Sequence, residues 1–258
     1  MENCYFVIDI GNTHIVMGVY QQNKLIHSWR FGTDNFRTED EYFAMIKLLF
    51  LEKSFDLHNI KKIALASVVP ELTHVYSHLI KKYLKCPLIK VDAYSNLGLN
   101  FPMKDPGFIG ADLIVNAFAA REFYQTNCII CDFGTATTIQ LIGKDGHFYG
   151  TVISPGVITS SSNLIKKASL LSDIRLVSPK NILGTTTKDA LLSGILTGNA
   201  LMIDGFIREI RSAYKKLGEI KAIATGGISD LICKNSKEID IIDKELTLNG
   251  LNYICRIL

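Results

Sequence analysis

Residues 5–20 read YFVIDIGNTHIVMGVY, and residues 128–143 read CIICDFGTATTIQLIG. Each is an apolar run ending in aspartate, one apolar residue and glycine, followed by threonine and a second run rich in β-branched residues. Such runs on either side of Gly, Asn and Thr are the signal for two strands joined by a tight turn. The chain therefore builds strand, turn and strand twice, once around Asp9 and Gly11 and once around Asp132 and Gly134.

The surroundings repeat as well. The first pair is followed by a strand at Leu25–Phe31 and a helix over Thr38–Lys53, with Thr38 as cap and Glu41 three residues on. Phe43, Ile46, Leu49 and Phe50 share one face of that helix. KKIALASVV is then a buried strand, Pro70 opens a helix and PLIKV is a further strand. After the second pair come a strand in FYGTVIS, helix from about Gly156, a long helical stretch from Lys188 to Leu217 and a strand in KAIATGG. ISDLICKN reads as a short helix, IDIID as a strand and LTLNGLNYICRI as a closing helix. Gly194, Gly198 and Gly205 interrupt the long stretch, which predicts a kink or close backbone packing. Between the halves, SNLGLNFPMKDPG is a loop and Ala111–Gln125 a helix. Each half thus reads β-β-β-α-β-α. The expected fold is α/β, with two related subdomains over residues 1–115 and 116–258 around a cleft.

Composition narrows the function classes. The chain has 258 residues, 48% of them hydrophobic, and a formal charge of +3 from 28 basic and 25 acidic side chains. Its basic residues are scattered, which argues against a nucleic-acid surface. The sequence shows neither a basic leader with an apolar core nor an uninterrupted apolar span of membrane length, so a cytoplasmic protein without a membrane partner is expected. Six cysteines lie mostly within apolar runs, and the Cys128-Ile-Ile-Cys131 spacing sends its two thiols to opposite faces of a strand. Buried, reduced thiols are the better reading than zinc or redox chemistry.

The turns carry the chemistry. Gly11 permits a tight bend that presents backbone N–H groups, and Thr13 adds a hydroxyl, which together make a cradle for phosphate oxygens. Asp9, at the end of the incoming strand, suits a hydrated Mg²⁺ bridging those phosphates. A single turn of this kind is equally an ordinary hairpin; two at matching places point to a nucleotide. ATGGIS (Ala224–Ser229) ends a strand in Gly-Gly before a helix, a place for a flat adenosine against backbone.

These pieces resemble the acetate and sugar kinase/Hsp70/actin superfamily, and within it type III pantothenate kinase. VIDIGNT, TEDEY, ASVVP, GAD, DFGTATT, SPG, SGILTG, DGFI, ATGGISDLI and LTLNGL follow one another in the family's order. The resemblance implies two actin-like (ribonuclease H-like) subdomains and transfer of phosphate from ATP to pantothenate, at the start of coenzyme A synthesis. It implies ATP binding by Asp9, Ile10, Gly11, Asn12, Thr13, His14, Ile15, Val16 and Thr135, with magnesium at Asp9. It also implies a monovalent cation, K⁺ or NH₄⁺, at Asp132, and Asp112 as the base on the substrate hydroxyl. Substrate contacts then fall at Met103, Gly110, Ala111, Asp112, Leu113 and Thr187, in a homodimer whose interface completes the pocket. Read from the residues alone, Asp112 is a helix N-cap, a role compatible with catalysis at a helix N-terminus.

The chain departs from the family on the acyl-substrate side. Leu113 stands where the family has the arginine that pairs with the pantothenate carboxylate, and Met103 where it has a tyrosine. Gly184-Thr185-Thr186-Thr187 replaces a Gly-Lys-Asn-Thr segment, Gln140 an acidic residue and Tyr149-Gly150 a Gly-Gly pair. Losing the arginine contact costs about 1.5–3 kcal/mol unless Arg121, Lys104 or Arg175 reaches the same carboxylate. An acceptor without a carboxylate, or a nucleotide-binding relative that no longer catalyses, are the competing expectations.

Overall fold

The computed structural model describes residues 4–167 and 175–258. Two compact units emerge: Met1–Leu97, Met103–Ala119 and Thr247–Leu258 form the first, and Gly98–Pro102 with Ala120–Leu246 the second. The closing helix thus groups with the N-terminal unit.

Each unit is built on one five-stranded mixed sheet. In the first, β1 (Cys4–Ile10), β2 (His14–Gln21) and β3 (Lys24–Gly32) form an antiparallel meander. β4 (Ile60–Ser67) pairs with β1 in parallel, and β5 (Leu88–Lys90) with β4. In the second, β6 (Asn127–Phe133), β7 (Ala136–Ile142) and β8 (Phe148–Pro155) form the meander. There β9 (Ile220–Thr225) pairs in parallel with β6, and β10 (Ile241–Ile242) with β9. Read from the edge, the orders are β3-β2-β1-β4-β5 and β8-β7-β6-β9-β10. They are the same order, and the central strand of each sheet carries the aspartate.

The helices follow from local signals. α1 (Glu39–Glu52) begins at Thr38 with a full capping box: Thr38 Oγ1 accepts from the Glu41 N–H, and Glu41 Oε2 accepts from the Thr38 N–H. Its buried stripe is Tyr42, Ile46 and Phe50, so Tyr42 joins the predicted face while Phe43 and Leu49 are only half-buried. α2 (Pro70–Leu79) starts with proline in its first turn, where a missing N–H costs nothing. Together α1 and α2 cover Phe6, Ile8, Ile10, Ile15 and Met17. On the sheet's other face Tyr20 donates to Asn249 of α8 (Leu246–Ile257), and α8 lies against α3 (Ala111–Tyr124). That packing is close enough for a β-carbon at Gly250 to stand 2.8 Å from the Ala119 methyl.

In the second unit the long helical stretch divides. α4 (Val157–Lys167) is followed by α5 (Thr187–Leu192), a π-helical turn at Ser193–Thr197 and α6 (Gly198–Ala213). A β-carbon at Gly194, Gly198 or Gly205 would meet nothing within 4 Å, so these glycines do not mark close packing within the chain. The interruption is the widened turn itself. Thr187–Ala213 is apolar enough by length and composition to cross a membrane, with a mean hydropathy of 1.5. Here Leu192, Ile195, Leu196, Ala200, Ile203 and Ile207 of that stretch are buried, and five of them join the core formed with Ile129, Cys131 and Ile139 of the sheet. α7 (Ser229–Cys233) completes that layer. The predicted strand IDIID shrinks to two residues, because Asp240 turns its carboxylate back onto the Ala222 N–H.

All six cysteines are free thiols, four of them buried. Burial pushes Cys128 up to about 12 and Cys131 well above the ordinary thiol range. No group of three or more His, Cys, Asp or Glu side chains among the described residues could hold a metal.

Candidate active site

The first turn links β1 to β2. Gly11 donates its N–H to the His14 carbonyl at 2.9 Å, leaving Asn12 and Thr13 exposed at the tip. Two bonds from the end of β3 brace it: Thr33 Oγ1 donates to the Gly11 carbonyl at 2.7 Å and the Thr33 N–H to the Thr13 carbonyl at 3.0 Å. Asp9 is half-buried and pairs in register with Val16. Ile10 and Ile15, both in the predicted ATP-binding run, are fully buried in the core, so only their backbone is available to a nucleotide. His14 is half-buried, with its Nδ1 2.9 Å from an Arg30 guanidinium nitrogen. Burial and then Arg30 hold its imidazole below the ordinary histidine range.

The second turn is not a strict copy. Four residues after Asp132 comes Ala136, where the first turn has Thr13; the threonines lie at 135, 137 and 138. Gly134 donates to the Ala136 carbonyl at 3.1 Å, which makes the turn tighter than the first. Two segments distant in sequence close around it. A β-carbon at Gly156 would collide with the Thr135 carbonyl oxygen, and Thr159 Oγ1 donates to that oxygen at 3.0 Å. Gly226 has φ +91°, and a β-carbon there would stand 2.7 Å from both Asp132 Oδ1 and the Phe133 backbone. The Gly-Gly turn read as an adenosine platform therefore lies directly against the Asp132–Gly134 turn. Asp132 faces Thr225 across β6 and β9.

Asp112 belongs to the first unit. It is the second residue of α3, so the N-cap reading moves to Gly110, whose carbonyl accepts from Ile114 N–H at 3.2 Å. Asp112 Oδ1 accepts from the Leu113 N–H at 2.8 Å. Burial raises its carboxyl above the usual carboxylate range, and backbone bonds from Leu113 and Asp112 itself offset part of that rise. Gly110 packs closely: a β-carbon there would displace Asp112 Oδ1 and stand 3.2 Å from Val68 Cγ1. Val68 in turn donates its N–H to the Ile10 carbonyl at 3.0 Å. One residue thus ties the end of β1 to the segment that carries Asp112. Sequence reading had no role for Val68; its place one residue beyond a strand parallel to β1 was the available signal.

The remaining positions are plainer. Ala111 and Leu113 are buried, Leu113 at 7% exposure, and Met103 is half-buried in irregular chain. Thr187 is exposed at the start of α5, with Thr186 as its cap. Gln140 is buried within β7. Of the three cations proposed to replace the family arginine, Arg121 is committed to the Gly98 carbonyl and to Glu122, while Lys104 and Arg175 are exposed.

Among solved structures, a ROK family glucokinase from Streptomyces griseus, in complex with glucose and AMPPNP, superposes with a TM-score of 0.57. It is 10% identical, with 98% of this chain and 99% of the other covered. A putative Baf family transcriptional activator from Campylobacter jejuni gives 0.56 at 20% identity, over 97% of each chain. These likenesses show the fold, that of actin-like kinases. The family is decided by sequence. The model for type III pantothenate kinase matches residues 5–209. A type III pantothenate kinase of Halalkalibacterium halodurans is 40% identical over 248 residues, 96% of this chain and 97% of its own. This chain belongs to the type III pantothenate kinase family. A second type III pantothenate kinase, from Bacillus cytotoxicus, is 39% identical over 95% of this chain and 93% of its own. As a type III pantothenate kinase family member the chain is a kinase, and the fold expected from its two turns is the one it has.

Proposed function

We propose that this protein transfers the γ-phosphoryl group of ATP to the primary hydroxyl of pantothenate, giving 4′-phosphopantothenate and ADP. The observation that carries the reading is the tie Ile10–Val68–Gly110, which fixes a half-buried carboxylate on the same unit as the first turn. Asp112 is the base. Phosphoryl transfer runs through a loose transition state, so its task is chiefly to orient the acceptor hydroxyl and receive its proton as the bond to phosphorus forms. Its raised pKa makes it a better proton acceptor than an exposed aspartate.

The first turn, Asp9 to Val16, receives phosphate oxygens on backbone N–H groups and on Thr13. Mg²⁺ is the divalent cation of the reading, held by Asp9 and phosphate. A single aspartate in each turn, with no cluster of three acidic or imidazole ligands among the described residues, fits a cation whose other ligands are phosphate and water. When bound, it neutralises charge on the transferring group. Asp132, beside Gly226, holds K⁺ or NH₄⁺, Thr135 contacts ATP, and Gly226-Gly227 supports the adenosine. Met103, Gly110, Ala111, Leu113 and Thr187 line the acceptor. Ile182 and Leu183, at 67% and 81% exposure beside Thr187, support a homodimer in which a second copy covers them. The place of work is the cytoplasm.

A second reading has its own observation. Leu113 is apolar and buried where the family arginine meets a carboxylate, and Arg121 is already paired. Both favour an acceptor without a carboxylate, such as pantetheine. ADP release with ATP, Mg²⁺ and K⁺, comparing pantothenate, pantetheine and no acceptor, separates the two. Stimulation by pantothenate supports the first reading, and stimulation by pantetheine alone replaces it with the second. ADP release that neither acceptor changes overturns both.

A further inference from the structure

We infer that Arg30 is a phosphate-binding residue of the first turn, positioned by His14, and that it supplies positive charge to the nucleotide's terminal phosphates. This rests on the kinase reading above and adds to it a cation that the matching motifs do not assign. The register carries the argument. Asp9, Val16 and Arg30 stand directly opposite one another on β1, β2 and β3, so their side chains leave the same face of the sheet. His14 precedes Val16 by two positions and joins that face. The alternate residues, Ile8, Ile10, Ile15 and Met17, fill the core under the other face, with Phe31 packed against them. With strands about 4.8 Å apart, the Arg30 backbone lies about 10 Å from that of Asp9. Between them stands only Val16, a short side chain, and an arginine is long enough to reach across it.

The charge environment points the same way. Arg30 is exposed, and no carboxylate among the described residues forms an ion pair with it. Its guanidinium instead meets the His14 ring nitrogen Nδ1 at 2.9 Å. An imidazole that accepts from a guanidinium is neutral, so it orients Arg30 without cancelling its charge. Three residues further on, Thr33 bonds the turn twice, so the strand carrying Arg30 is locked to the turn it serves. A planar guanidinium offers two parallel donors to phosphate oxygens, and such charge-assisted bonds are the strong ones. Positive charge fixed at the terminal phosphate is also what phosphoryl transfer requires.

The test is calorimetric binding of ATP and of AMP, each with Mg²⁺, to the full-length protein and to Arg30→Met, Arg30→Lys and His14→Gln. Arg30→Met is expected to weaken ATP roughly 10–100-fold and AMP by less than threefold. Arg30→Lys should recover part of the loss, because it keeps charge without the fork. His14→Gln should lose less, and adding it to Arg30→Met should cost nothing further, since its role is exercised through Arg30. Equal losses for ATP and AMP, or no loss for either, overturn the inference. So does a change confined to the KM for pantothenate, which would place Arg30 on the acceptor instead. If the unaltered protein fails to bind ATP, the kinase reading falls first and this inference with it; ATP binding that survives Arg30→Met overturns this inference alone.

Discussion

At Gly11 the first turn is held from Thr33, whose hydroxyl and N–H bond the Gly11 and Thr13 carbonyls, with Arg30 and His14 alongside. At Gly134 the second also has a hydroxyl on one carbonyl, Thr159 on Thr135, but it is enclosed besides by backbone, with Gly156 against Thr135 and Gly226 against Asp132 and Phe133. The two sheets have the same strand order, so topology does not cause the difference. A turn braced by a hydroxyl tolerates variation in its neighbours at the price of one hydrogen bond. A turn braced by glycines tolerates no β-carbon at all. The two copies thus share an architecture and differ in how each fixes its aspartate, and Asp112, the proposed base, belongs to the first unit.

That asymmetry gives predictions of decreasing size. Asp112→Asn should lower kcat about 10²–10⁴-fold while ATP affinity is retained. Because the folded carboxyl titrates above its unfolded value, ionising it opposes folding. The protein therefore loses stability from this group as pH rises from about 4 through the raised pKa, and Asp112→Asn should leave the thermal midpoint at neutral pH unchanged or higher. The pH–rate profile of the unaltered enzyme should fall on its acid side above the ordinary carboxylate range. A limb near pH 4, or normal turnover in Asp112→Asn, would make Asp112 structural.

The glycines come next. Gly156→Ala and Gly226→Ala should each destabilise by about 1–3 kcal/mol in urea unfolding, since both require backbone to move and Gly226 adds its left-handed φ. Gly11→Ala, whose β-carbon would stand 3.2 Å from the His14 carbonyl at an ordinary φ, should cost less than about 1 kcal/mol. Equal losses at all three positions would break the comparison. The smallest effect belongs to Thr33→Val, about 1 kcal/mol of stability with a few-fold rise in the KM for ATP. The same rise from a change at Thr159, which bonds the Thr135 carbonyl, would show that the second turn depends on a hydroxyl as well.

The order of elements along the chain and the paired turns were legible because period-two runs, capping residues and Gly-centred turns are local signals. Thr38 with Glu41 announced its capping box, and LTLNGLNYICRI its helix, to the residue. What escaped was long-range. Val68, Gly156 and Gly226 matter through contacts with chain far away in sequence, and a lone Val or Gly looks alike wherever it packs. Arg30 was passed over because scattered basic residues usually mark a solvated face; only the register beside Asp9 singles it out. The glycines of the long helix were half informative. They suggested a kink or close packing; the helix is interrupted by a π-turn at Ser193–Thr197, and none of the three glycine sites faces a neighbour that a β-carbon would meet. The second turn was read as a copy of the first, although a one-residue shift of its threonines makes it tighter.

The most direct test of the account is mass analysis of the product after the purified protein is incubated with ATP, Mg²⁺, K⁺ and pantothenate. The account predicts pantothenate carrying one phosphate on its primary hydroxyl, formed mole for mole with ADP and absent from the Asp112→Asn reaction. Unmodified pantothenate beside firmly bound ATP would contradict it, and the two turns would then hold a nucleotide without transferring its phosphate.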